Sequence, residues 1–131
     1  MKKLILAIDD SKAIRFLLQT VFGREYQIVT VPDGYSALYY LNHRNSPDLI
    51  IADPQLPDMQ DWELVKQITS SGMFGHIPIV VLSSLDKQET DFRCGELGVV
   101  ACFMKPFNPM DMLQSVKSLM NEGIGSPVLA S

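Results

Sequence analysis

Apolar residues occur along this chain in short unbroken runs, and between the runs they recur every three or four positions. The first run, Lys3 to Ile8, is rich in Leu and Ile and stops at Asp9-Asp10, the pattern of a strand buried on both faces. Ile14, Leu17, Leu18, Val21 and Phe22 then fall at i, i+3, i+4, i+7 and i+8, with Ser11 placed to cap a helix and Gly23 to stop it. Tyr26 to Val31 predicts a second strand. Asp33 to His43, with Ala37, Leu38 and Leu41 on one side, predicts a second helix, closed by the turn chemistry of Asn45-Ser46-Pro47. Leu49 to Ala52 is a third strand; Pro54 and Pro57 keep Pro54 to Gln60 in a loop, and a third helix follows around Trp62 to Ser70. Pro78 to Leu82 is a fourth strand, Asp86 to Leu97 a helix with a thin apolar face, and Val99 to Met104 a fifth strand. A last helix opens at Asn108-Pro109 and runs through Met112, Leu113, Val116, Leu119 and Met120.

Five strands strictly alternating with five helices predict an α/β domain: a parallel sheet with right-handed crossovers and helices on both faces. Ligands of such sheets gather at the carboxyl ends of the strands, near the switch point in strand order. The domain is expected over residues 1–122. Gly123 to Ser131, with Gly, Ser and Pro and little periodicity, reads as a flexible tail or the start of a linker.

Composition agrees with one ordinary globular domain: 131 residues, 47% hydrophobic and 20% charged, which excludes a disordered chain or a coiled coil. The balance of 11 Lys+Arg against 15 Asp+Glu gives a net charge of −4, so nucleic acid is not the expected direct partner. Cys94 and Cys102 are too few for a disulfide framework, the N-terminus lacks a signal-peptide pattern, and no apolar run approaches a membrane span. A reducing cytoplasm is the expected compartment, with no membrane contact.

The candidate chemistry lies at strand ends. Asp9 and Asp10 end the first strand, Asp53 the third, Ser83 the fourth, and Lys105, before Pro106, the fifth. Singly each has an ordinary explanation: a cap or loop aspartate, a Ser83-Ser84 helix cap, a surface Lys-Pro turn. Together they fall on one edge of one sheet. Three crowded carboxylates raise each other's pKa unless a positive charge compensates, so the cluster suits a hard cation, with Mg²⁺ expected. The cation, the Lys105 ammonium and the Ser83 hydroxyl would stabilise a transferring phosphoryl group while one carboxylate attacks phosphorus.

Ile8-Asp9-Asp10, Asp48 to Asp53 with Leu56-Pro57-Asp58-Met59, Pro78 to Ser83, Gly95 to Gly98 and Lys105-Pro106-Phe107, in this order and spacing, resemble the receiver domain of two-component response regulators. The resemblance spans roughly residues 3 to 122. It implies a flavodoxin-like (βα)5 fold with strand order 2-1-3-4-5, as in chemotaxis receivers. It implies Asp53 as phosphoacceptor, Asp10 as direct Mg²⁺ ligand, Asp9 acting mainly through a bound water, and the Gln55 backbone carbonyl completing the metal site. Lys105 would bind the phosphoryl group and Ser83 would be the hydroxyl that moves to meet it. The implied partners are a sensor histidine kinase or phosphotransfer protein and a downstream protein or output domain. A dimer through the face of the fourth helix, fifth strand and fifth helix is a further arrangement open to it. Self-phosphorylation and self-dephosphorylation would be its only chemistry, so it is not expected to be an enzyme in the turnover sense.

Several residues depart from the family pattern. Gln60-Asp61 stand where Asp-Gly is usual, and Asp is among the few other residues that visit positive φ cheaply. Pro54 has no N–H, leaving the Gln55 and Ser84 amides as phosphoryl donors. Cys102 occupies the place of the aromatic whose ring usually follows the switch hydroxyl, and Phe103, on the opposite side of the strand, does not replace it. That motivates an alternative, a pseudo-receiver: an interaction module whose switch phosphorylation does not drive. Leu85, apolar and bulky beside the expected path of the hydrolytic water, implies a long-lived phosphoryl group.

Two other classes fare worse. A haloacid-dehalogenase-type phosphatase needs a second Asp where Gln55 stands, and a flavodoxin needs a Ser/Thr/Gly-rich phosphate loop after the first strand. Tyr35, Tyr39 and Tyr40 read as core edge and surface, His43 and His76 as isolated turn residues, and Trp62 as packing. Met110, Met112 and Met120 are candidates to enrich a partner surface.

Overall fold

A computed structural model describes residues 2–43 and 45–122; the expected tail, 123–131, lies outside the described residues. In chain order the elements are β1 Leu4–Ile8, α1 Lys12–Phe22, β2 Gln27–Val31, α2 Gly34–Asn42, β3 Leu49–Ala52, α3 Glu63–Thr69, β4 Ile79–Ser83, α4 Lys87–Leu97, β5 Ala101–Met104 and α5 Pro109–Glu122. All strand pairs are parallel, in the order β2-β1-β3-β4-β5. This is the predicted flavodoxin-like topology. The predicted bounds shift slightly: Lys3, Tyr26, Val99 and Val100 precede their strands, and Ser83 itself ends β4.

β3 and β4 are buried throughout and β1 all but at its first residue, because helices cover both faces of the sheet and leave no polar side to alternate with. One core forms between the sheet and α1 and α5, around Leu18, Phe22, Met112, Val116 and Leu119. The other lies beneath α2, α3 and α4, around Ala37, Leu41, Leu64, Ile68 and Cys94. Met112 and Met120 belong to the first core, 0% and 4% exposed, so the expectation that they enrich a partner surface is corrected; only Met110 of the three is exposed.

Helix starts follow their caps. Ile14 N–H donates to Ser11 Oγ (3.2 Å) and Ser36 N–H to Asp33 Oδ1 (2.7 Å). α4 is capped by Asp86, which accepts from Glu89 N–H (3.1 Å), and not by the Ser83-Ser84 pair. Gly98 closes α4 at φ 72, a conformation that favours glycine.

The start of α2 carries a second cap that no local pattern announces. Gly34 and Tyr35 N–H groups donate to Asp58 Oδ1 and Oδ2, each at 2.9 Å, so the loop after β3 is bound to α2. A Cβ on Gly34 would stand 2.5 Å from Met59 Sδ, so any larger residue there would force the Met59 side chain to move.

The same loop holds local strain. Asp61 takes positive φ (55), as expected of the residue standing for glycine, but Trp62 does too (66), delaying α3 to Glu63. A bulky residue in that region is strained by about 1–3 kcal/mol, offset here by near-complete burial of the indole, 1% exposed.

Candidate functional site

The parallel register brings the carboxyl ends of the strands to one edge, with Ile8 beside both Val31 and Ala52, and Ser83 beside Met104. Backbone hydrogen bonds carry the sheet one residue further: Asp9 N–H donates to Val31 O (3.1 Å), Asp53 N–H to Ile8 O (2.9 Å) and Lys105 N–H to Ser83 O (2.7 Å). The side chains of Asp9, Asp53 and Lys105 therefore converge. Lys105 Nζ lies 2.8 Å from Asp53 Oδ2 and 2.7 Å from Asp9 Oδ2. The Lys105–Pro106 peptide bond that follows is cis.

Asp9 and Asp53 are almost fully buried, at 0% and 4% exposure, while Asp10 is exposed at the rim. One carboxylate oxygen of each lies within 4.8 Å of the others. Asp53 has a donor on each oxygen: Gln55 N–H on Oδ1 (2.8 Å) and Lys105 on Oδ2. Asp9 Oδ1 accepts from Ser11 N–H (2.9 Å), and Arg15 steadies the same residue through its carbonyl (2.8 Å). Asp9 Oδ2 is different. It is buried with no aligned donor, the Lys105 ammonium being close but off the hydrogen-bonding direction.

A buried anionic oxygen lacking an aligned donor, with two further carboxylates in reach, is a donor set suited to a hard cation that keeps part of its water shell. The residues thus fit Mg²⁺. Asp10 and Gln55, with Leu56, Pro57 and Gln60, line a cleft of about 240 Å³ on the outer side of this cluster.

Burial is the main cause that raises Asp53 above the usual carboxylate range. Lys105 and the Gln55 amide pull it down, and the charge of Asp9 adds only the smallest upward contribution. The expected repulsion between neighbouring carboxylates is present in the Asp9 charge and is offset by Lys105, while low-dielectric surroundings raise Asp53 more than that charge does. Burial lowers Lys105, but its hydrogen bond to Asp53 and its close ion pair with Asp9 outweigh it, so the net shift is upward.

Ser83 is 0% exposed at the end of β4, as predicted, but its hydroxyl is engaged away from the carboxylates. Ser83 Oγ lies 3.0 Å from Thr90 Oγ1 on α4 and accepts from Leu85 N–H at 3.0 Å. Thr90 escaped the sequence reading, although its spacing to Cys94 and Leu97 placed it on the thin inner face of α4.

Cys102 packs against the α2–α4 core and Phe103 against the α1–α5 core, the opposite faces that strand alternation requires. The Cys102 thiol donates to Asp91 Oδ1 (3.2 Å). Burial pushes both cysteine thiols up. Beside the site, Asp61 accepts from Arg93 of α4 (2.8 Å), and its N–H donates to Gln55 Oε1 (3.2 Å). Tyr35 and Tyr39 are exposed surface residues, and His43 stacks on Tyr39 with ring centroids 3.9 Å apart.

Residues 5–117 match the response regulator receiver domain family. The chain belongs to that family. The rice (Oryza sativa subsp. japonica) two-component response regulator ORR7 is 31% identical over 109 residues, 82% of this chain and 52% of ORR7. This chain therefore spans about half the length of that relative. Among solved structures, the chemotaxis response regulator CheY4 of Vibrio cholerae superposes with a TM-score of 0.80 at 28% identity, covering 91% of this chain and 99% of that one. The phosphorylated cyanobacterial phytochrome response regulator RcpA gives 0.79 at 29% identity over 100% of both chains. Receiver domains are phosphoacceptor switches of two-component signalling that work with histidine kinases and output domains, and are not turnover enzymes. Among the described residues no helix is long and apolar enough to cross a membrane.

Proposed function

We propose that this receiver is switched by phosphorylation of Asp53, taken from the phosphohistidine of a sensor kinase or phosphotransfer protein. The observation that carries the reading is the buried Asp53 carboxylate held by the Lys105 ammonium at 2.8 Å, with oxygens of Asp9 and Asp10 within 4.8 Å. An Asp53 carboxylate oxygen attacks phosphorus in line. The phosphorus–nitrogen bond breaks, its electron pair and a proton end on the departing imidazole, and an acyl phosphate remains on Asp53.

Asp9, Asp10, Asp53 and the Gln55 carbonyl would hold Mg²⁺, which supplies charge neutralisation for the phosphoryl oxygens. Lys105 is already on Asp53 and follows the charge onto the phosphoryl group. The Gln55 amide does the same from the other side, and Ser84 N–H takes the place that Pro54 leaves vacant. Ser83 turns its hydroxyl toward the new anion, and the surface formed by α4, β5 and α5 passes the change to a downstream protein or output domain, with dimerisation through that surface as one outcome. The cytoplasm is the compartment where such a donor would meet it.

Intact-mass spectrometry after treatment with acetyl phosphate and Mg²⁺ tests the acceptor. Wild type gains the mass of one phosphoryl group and Asp53→Asn does not; an equal gain in both ends the proposal. One observation favours a second reading, the pseudo-receiver: Cys102, tied to Asp91, stands where an aromatic would move. Amide NMR shifts on adding beryllofluoride with Mg²⁺ separate the two, since shifts confined to the carboxylate edge favour the pseudo-receiver and shifts reaching the α4-β5-α5 surface favour the switch.

A further inference from the structure

Among the described residues, one buried polar pair lies apart from the carboxylate cluster. Ser83 and Thr90 are both 0% exposed, and their hydroxyl oxygens are 3.0 Å apart. Thr90 is the polar member of an inner α4 face whose other buried residue is Cys94. A buried hydroxyl that loses its partner costs more than the bond itself, because water is not there to replace it.

We propose that Thr90 is a positioning residue for the phosphoryl switch: it holds the Ser83 hydroxyl in the resting orientation and transmits that hydroxyl's departure to α4. This rests on the reading above, in which Ser83 turns toward the phosphoryl group on Asp53. The turn takes Ser83 Oγ off Thr90 and strands the Thr90 hydroxyl in a buried place. A shift of α4 that lets Thr90 reach water or another acceptor relieves it. α4 is suited to shift, because it buries little apolar surface of its own. Cys102 on β5, bonded to Asp91 of the same helix at 3.2 Å, adds a second directional tie between the sheet and α4. The coupling therefore runs through hydroxyl and thiol hydrogen bonds where an aromatic ring would otherwise carry it.

The test titrates beryllofluoride, with Mg²⁺ in excess, into wild type, Thr90→Val, Thr90→Ala and Thr90→Ser, followed by amide NMR. Val keeps the shape without the hydroxyl, Ala guards against a misfit of the added methyl, and Ser keeps the hydroxyl. Loss of the resting bond makes Thr90→Val and Thr90→Ala bind the analogue roughly threefold to tenfold more tightly, the worth of one hydrogen bond. Thr90→Ser stays near wild type. The binding-induced shifts of the α4 amides shrink in the Val and Ala variants and return with Ser.

Affinity in Thr90→Val and Thr90→Ala equal to or weaker than wild type overturns the proposal, as does a Ser variant that behaves like Val. Failure of wild type to bind the analogue at all overturns the phosphoacceptor reading itself, and is seen before any Thr90 variant is compared.

Discussion

α1 and α4 have the same length, 11 residues, yet the sheet holds them in different ways. α1 buries Leu18 and Phe22, sets Ile14 and Val21 half-buried beside them, and shares its core with Met112, Leu113, Val116 and Leu119 of α5. α4 buries Thr90 and Cys94 alone and turns Phe92, 68% exposed, to solvent. Each large buried apolar side chain contributes about 1.5–3 kcal/mol, so α1 and α5 are fixed by surface that no small shift preserves. α4 is fixed largely by directional bonds, Thr90 to Ser83, Asp91 to Cys102 and Arg93 to Asp61, each of which exchanges partners without opening a cavity. The same βα unit thus rests on buried apolar surface on one side of the sheet and largely on directional bonds on the other.

The sharpest way to break that comparison is truncation. Phe22→Ala removes a fully buried ring and is expected to destabilise by about 3–5 kcal/mol in urea unfolding, whereas Phe92→Ala on α4 changes stability by less than about 0.5 kcal/mol. Comparable losses would erase the distinction.

Next in size is the metal. Mg²⁺ at a hundredfold excess over its dissociation constant is expected to raise unfolding stability by about 2.7 kcal/mol, and Asp10→Ala to abolish that gain, as read by thermal melts with and without EDTA. An undiminished gain in Asp10→Ala would remove Asp10 from the site.

Asp58 gives a smaller effect with a defined pH sign. Burial pushes its carboxyl up, but the Tyr35 and Gly34 amides outweigh this and hold it below the usual range. A depressed folded-state pKa contributes stability that is present above the ordinary carboxylate value and is lost as pH falls through the folded value. Asp58→Asn should therefore lower stability at neutral pH by no more than about 1 kcal/mol, given its exposure, and flatten the acid limb of the stability curve. An unchanged acid limb would show that the cap carries no charge-dependent share.

The least perturbing measurement is the lifetime of the phosphoryl group. Leu85, half-buried and packed against the α2–α4 core, presents no polar group to a hydrolytic water. Phosphate release from phosphorylated protein is expected to be slow, and loss within seconds would contradict it.

Much of this was legible in the order of the residues. Spacing alone placed Leu18 and Phe22 inward, Ser11 and Asp86 near helix starts, and Cys102 and Phe103 on opposite sides of β5, because helical and strand periods are local geometry. Other features were hidden. The Asp58 cap on α2 joins positions 23 and 24 residues apart, and the left-handed Trp62 obeys no propensity; its burial in the core overrides the local preference.

By itself the sequence determined five strands, five helices and the arrival of Asp9, Asp10, Asp53, Ser83 and Lys105 at one sheet edge, since strand ends follow from where apolar runs stop. Only the tertiary structure decided what those groups do to each other. Lys105 meets Asp53 across 52 residues of chain, Asp9 keeps one oxygen without an aligned donor, and the Ser83 hydroxyl turns to Thr90 rather than to the carboxylates. The reason is physical: a side chain's rotamer and its protonation answer to whichever partners and how much water the packed fold leaves beside it, and neither is written in its neighbours along the chain.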